Sequence, residues 1–167
     1  MKVFVSIPAV GEVKKTFIDA KAQKYLEERF DVTYSTLERQ VTQEEFKSFI
    51  GDAEAVITGW GHPQITPEMV NGTKLKYILH TGGTVGNIAH PELYDMGVRV
   101  VSGNPVYAES VAEGVICYIM SSLRKTIDKI NLVRSGGWSL PKSDDPEDYW
   151  RYSNGGQLGI LDRTVGI

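Results

Sequence analysis

The residues with the most direct chemical potential lie in one turn, Gly82-Gly83-Thr84-Val85-Gly86. Three glycines in five positions let successive backbone N–H groups face one concavity, a place for a carboxylate or phosphate. The other reading is a tight turn whose glycines only supply positive φ. No Lys-Ser or Lys-Thr pair follows, so this is not a Walker loop, and the spacing is not Gly-x-Gly-x-x-Gly. A second turn, Gly59-Trp60-Gly61-His62, sets a tryptophan between two glycines. Such a ring can wall a small-molecule pocket, or fold onto its own sheet edge.

The remaining reactive side chains point elsewhere. His62, His80 and His90 are the only histidines; none pair at i, i+4, and no carboxylate cluster has ligand spacing, so no metal site is expected. His80, ending a predicted strand, could touch a ligand, though it reads first as structural or solvated. Cys117 lies among Val115, Ile116 and Ile119 and reads as a buried, inert thiol. The acidic run Asp144 to Asp148 reads as a solvated loop. A phosphoacceptor domain would need an acidic pair after the first strand and an aspartate ending the third; here stand Pro8-Ala9 and Thr58-Gly59. A flavin-phosphate loop would need Ser, Thr and Gly after the first strand, where Val10-Gly11-Glu12-Val13 would repel phosphate.

Elements that could position the two turns alternate along the first 105 residues, the pattern of βα units around a parallel sheet. Strands are expected at Val3–Ile7, Phe30–Tyr34, Ala55–Thr58, Leu75–Leu79 and Val98–Val101. One helix is expected through Val13, Phe17, Ala20, Lys24 and Tyr25. Another opens on the capping box Thr42-Gln43-Glu44-Glu45, a third on Thr66-Pro67, and a brief one lies near Pro91 to Met96. The fold class is therefore α/β: a flavodoxin-like five-stranded parallel sheet with helices on both faces, followed by a long helix. Residues 107–134 read as that single helix, with an apolar stripe wide enough to pack on two sides. From Gly136 to Gly159 the chain is polar and reads as a loop or linker.

Bulk properties agree. The 167 residues are 41% hydrophobic and 23% charged, which excludes a disordered chain and allows one ordinary domain or slightly more. Eighteen basic against 21 acidic residues give a net charge of −3, so nucleic acid is not an expected partner. One cysteine, no signal-peptide pattern and no run of ~18 apolar residues lead to an expectation of a soluble, cytoplasmic protein.

Five segments, in order, resemble the D-isomer-specific 2-hydroxyacid dehydrogenase family. Leu75 to Ile88 is similar to the family's strand and glycine turn, and Gly97 to Asn104 to its next strand. Ser110-Val111-Ala112-Glu113 resembles the start of its interdomain helix. Ser135-Gly136-Gly137-Trp138 resembles the Gly-x-Trp after that helix, and Leu161 to Ile167 the segment entering the cofactor domain. Gly86 and Ala89 replace two usual aspartates, His80 stands where arginine is common, and Val111 lacks a frequent hydroxyl.

The resemblance implies an oxidoreductase with a substrate domain followed by a Rossmann domain binding NAD or NADP. It divides the chain into a flavodoxin-like substrate domain over 1–104 and an interdomain helix over 105–136. A linker over 137–163 and a stub of the first cofactor-domain strand over 164–167 would follow. It implies that Gly83, Thr84 and Val85 hold the carboxylate of a small 2-hydroxy or 2-keto acid, that Trp60 shapes the substrate side, and that Ser110 and Val111 approach the nicotinamide. The expected function is the substrate-binding portion of the enzyme, truncated before the family's Gly-x-Gly-x-x-Gly and its catalytic arginine, glutamate and histidine. Hence no catalytic residue, bound cofactor or activity is expected of this chain alone, and self-association as a homodimer is expected through 107–134. The rival expectation is a stand-alone, non-catalytic binding module with the same fold.

Overall fold

Short, near-continuous apolar runs separated by amphipathic helical segments make a parallel sheet covered on both faces the economical fold. The computed structural model describes residues 1–137 and 159–166. β1 (Lys2–Ser6) leads through α1 (Glu12–Phe17) and α2 (Ala20–Glu27) to β2 (Asp31–Tyr34). α3 (Gln43–Ile50), α4 (Pro67–Val70) and α5 (Glu92–Asp95) then alternate with β3 (Ala55–Thr58), β4 (Tyr77–His80) and β5 (Arg99–Ser102). The strand order is β2-β1-β3-β4-β5 and every pairing is parallel, the flavodoxin-like order expected from the sequence.

The two sheet faces carry separate cores. Phe4, Val56 and Ile78 pack with Phe46 and Ile50 of α3, Met69 and Val70 of α4, and Leu93 of α5. Val3, Val5, Ala55 and Ile57 pack with Ile18 and, around it, Val13, Phe17 and Leu26.

Local capping shapes the helices. The stretch expected as one helix from Val13 to Tyr25 is two, because the Asp19 carboxylate accepts the Ala22 N–H at 2.7 Å and starts a new helix there. The capping box of α3 forms as expected: Glu45 N–H donates to Thr42 Oγ1 at 3.3 Å and Thr42 N–H to Glu45 Oε2 at 2.9 Å. Replacing Thr42 by alanine is expected to lower unfolding stability by ~1 kcal/mol. Urea denaturation with an unchanged slope is the measurement.

The chain divides into two compact units, Met1–Ala108 and Glu109–Ile167. The segment read as one helix over 107–134 runs as α6 (Asn104–Leu123) and α7 (Thr126–Arg134). Lys125, in the left-handed region at φ 51°, separates them; its N–H closes a tight turn onto Ser122 O, and its own carbonyl receives Lys129 N–H. α7 stops at a glycine cap: Gly136 adopts φ 82°, Gly136 N–H donates to Val133 O and Gly137 N–H to Leu132 O. No residue of α6 is buried, so Cys117 is exposed rather than the buried thiol expected from its apolar neighbours. Most of the expected linker, with Trp138, Tyr149, Trp150 and the acidic run, lies outside the described residues. Thr164 to Gly166 join no strand among the described residues, and Ile167 lies outside them.

Candidate functional site

β1, β3, β4 and β5 each finish on a polar residue, and the ladders place these side by side. Ser6 pairs with Thr58, Thr58 with His80, and His80 with Ser102. Each lies two residues beyond a side chain of one core, Phe4, Val56, Ile78 or Val100, and so points to that same face. The result is a polar row across the carboxyl edge of the sheet, the edge where open α/β sheets bind ligands.

Two histidines close this row. Ser6 Oγ lies 2.9 Å from His62 Nε2, and His62 Nδ1 lies 2.7 Å from Pro63 O. A carbonyl only accepts, so Nδ1 carries the proton and Nε2 accepts from the Ser6 hydroxyl. Burial pushes the His62 pKa down to about 4; the Pro63 carbonyl opposes this and nearby His80 adds to it. The Phe46 ring meets His62 edge-on, centroids 5.5 Å apart. His80 Nδ1 sits 3.0 Å from Thr58 Oγ1, and burial lowers its pKa as well. Both rings are neutral at pH 7.

The glycine turn leaves β4 directly beside this row. None of Gly82, Gly83 and Gly86 has a positive φ, so backbone conformation does not explain them. Close approach explains two. A Cβ on Gly82 would lie 2.5 Å from His80 Nε2 and 2.9 Å from Trp60 Nε1; one on Gly83 would lie 3.3 Å from Asn104 Oδ1. Carbonyls of the turn are engaged: Gly82 O receives Gly103 N–H, Val85 O receives Ile88 and Ala89 N–H, and Gly86 O receives the Gln64 side chain. The N–H groups from Gly82 to Asn87 donate to no acceptor among the described residues. Six consecutive donors without acceptors among the described residues, on a turn where three of the carbonyls are engaged, suit an anion.

β5 anchors the turn from the other side. Gly103 N–H donates to both His80 O and Gly82 O, and the Tyr107 hydroxyl donates to Thr81 O at 3.0 Å. A Cβ on Gly103 would lie 2.5 Å from Thr81 O, a backbone atom that cannot swing aside. Gly103→Ala is therefore expected to cost about 1–3 kcal/mol and to shift the turn amides in an NMR spectrum. An unchanged spectrum and stability would show that the turn is not held this way.

No family model matches the chain, and no curated protein matches it. Solved structures do. A protein of Pyrococcus horikoshii OT3, PH0520, is 25% identical with a TM-score of 0.62, over 89% of this chain and 40% of its own. A phosphoglycerate oxidoreductase from Rhizobium etli is 19% identical, TM-score 0.62, over 96% of this chain and 45% of its own. A D-lactate dehydrogenase from Treponema pallidum is 14% identical, TM-score 0.58, over 85% and 41%. The chain has the fold found in D-2-hydroxyacid dehydrogenases. It spans between 40% and 45% of the lengths of these three structures.

On this dehydrogenase fold, the residues singled out in the sequence fall in two places. Gly83, Thr84 and Val85 lie in the run of free N–H donors. Trp60 stands at the same edge, 55% exposed, its ring held edge-on by Phe17 at 4.7 Å. That geometry is a fixed aromatic wall, neither buried in the core nor free. Ser110 and Val111 are exposed on α6, in the second unit. Reading the sequence passes over Ser6, Thr58, His62, Asn104 and Tyr107. For Ser6 and Thr58 the one visible signal is a polar residue closing an apolar strand, which gains meaning only with the register. Among the described residues no three of His, Cys, Asp or Glu come together as a metal site.

Proposed function

We propose that the chain is the substrate-binding portion of an NAD(P)-dependent D-2-hydroxyacid dehydrogenase acting on a small 2-hydroxy or 2-keto acid in the cytoplasm. The observation that carries this reading is the unbroken run of N–H groups from Gly82 to Asn87 that find no acceptor among the described residues. The Gly83, Thr84 and Val85 N–H groups hold the substrate carboxylate, and Trp60 bounds the space for the rest of the acid. Ser110 and Val111 face the nicotinamide side in the complete enzyme. The nicotinamide, when bound, supplies hydride transfer at the substrate's C2. Residues 1–167 contain no Gly-x-Gly-x-x-Gly, so they offer no cradle for the cofactor's pyrophosphate. What these residues do is bind and orient the acid.

Titration of the chain with pyruvate, followed by amide NMR, tests the reading. Saturable shifts confined to Gly82–Asn87 and Trp60 Nε1 are expected; no shift there at high millimolar pyruvate overturns it. Fluorescence titration with NADH is expected to show no saturable binding, and micromolar affinity would mean that the cofactor is held by residues of this chain.

A further inference from the structure

We infer that His80 is a positioning residue of the anion-holding turn, and that its protonation makes a carboxylate bind there more tightly as pH falls. The inference rests on the reading of the turn as a carboxylate site, and it adds a control that the free N–H groups alone do not supply.

Gly82 is the first residue of the turn. His80 Nε2 and Trp60 Nε1 both lie within 3 Å of where a Cβ on Gly82 would stand, so both occupy the space a side chain would need. The place of Trp60 is set by Phe17. The place of His80 is set by Thr58, through Nδ1 at 3.0 Å. Thr58 is itself fully buried, and its carbonyl receives both the N–H and the hydroxyl of Thr81. The imidazole is thus clamped on one nitrogen and leans on the turn with the other. The direction of the following N–H groups depends on where that ring stands.

Protonation does not break the clamp. A threonine hydroxyl can accept from Nδ1–H as readily as it can donate to a bare Nδ1. What changes is charge: an imidazolium would place a cation against the turn, at a protein edge where water screens it poorly. The groups facing His80 are Thr58 from β3, Trp60 and His62 from the turn after β3, and Thr81 from its own turn. Only His62 among them titrates, and burial holds its pKa at about 4. A bound anion and a proton on His80 therefore favour each other, and the coupling is reciprocal.

The test uses the 167-residue chain and pyruvate, which stays ionised throughout. The Cε1–H signals of His62, His80 and His90 are followed by NMR from about pH 8 down past the ordinary histidine range until His80, whose pKa burial lowers, has taken up its proton, with and without saturating pyruvate. Pyruvate is expected to raise the His80 midpoint by about one pH unit, and its affinity to rise about tenfold over the same range. His62 should show neither effect. His80→Asn is expected to weaken pyruvate binding at every pH, because the turn loses its support, and to leave what binding remains independent of pH; should that variant not fold, the wild-type midpoint shift decides alone. A pyruvate affinity independent of pH, with an unmoved His80 midpoint, overturns this inference and leaves the carboxylate site standing. Absence of pyruvate binding at every pH overturns both.

Discussion

Acidification from pH 6.5 to pH 4 is expected to remove about 3 kcal/mol of folding stability through one side chain, His62. Its folded pKa is about 4 against an ordinary 6.5, with burial as the main cause, and each unit of difference is worth about 1.4 kcal/mol. The unfolded chain takes up the proton first, so the stabilisation is complete above pH 6.5 and is lost as pH falls through the folded pKa. His80, lowered in the same direction, adds to the slope. Glu45 acts in a separate window: hydrogen bonds from the Arg39 guanidinium, then the Thr42 N–H, hold it at about 2, so its contribution is lost only as pH falls below 4.5. Urea midpoints measured across this range separate the two. His62→Gln should be less stable at neutral pH, since Ser6 and Phe46 lose their fit, but its stability should fall much less between pH 6.5 and 4. An equally steep fall in that variant would place the acid-sensitive group elsewhere.

The position of His62 also shows why the fold was more legible than the site. Five apolar runs, each followed by a turn and a helix, determine a parallel sheet almost by themselves. Ala55–Thr58 was readable to the residue because both flanks are punctuated, by Asp52 and Gly59. The helix breaks were not readable. Apolar spacing continues through Asp19 and through Lys125, yet a side-chain cap ends one helix and a left-handed lysine ends another. Local hydrogen bonding won over periodicity in both.

The site escaped for a different reason. The glycines of the turn were visible, but their purpose was not. Positive φ is a property of a single residue, whereas the constraint at Gly82 comes from His80 and Trp60. Likewise the row Ser6, Thr58, His80 and Ser102 spans nearly a hundred residues of sequence and becomes one feature only through ladder register. Chemistry that lives in register is invisible to a reading that moves along the chain.

Self-association through α6 is the other large expected effect. Val111 is 62% exposed, Ile116 57% and Tyr118 73%. Burying such side chains gains roughly 1.5–3 kcal/mol each when burial is complete. From Gly114 to Leu123 no residue carries a charge, so two copies of this helix meet without like-charge repulsion. A second copy of the chain is the occupant these features favour, in a two-fold arrangement that pairs the same face with itself and closes. Light scattering across a concentration series should show a dimer forming in the micromolar range. Ile116→Asp should return it to monomer, because each copy would then bury a carboxylate facing its twin. The same variant should leave the Gly82–Asn87 amides where they are, since the turn belongs to the first unit and position 116 to the second. If the wild-type chain stays monomeric at high micromolar concentration, α6 is not a self-pairing surface. Its uncharged stretch would then serve a different chain segment, and Ile116→Asp should have no effect on mass at any concentration.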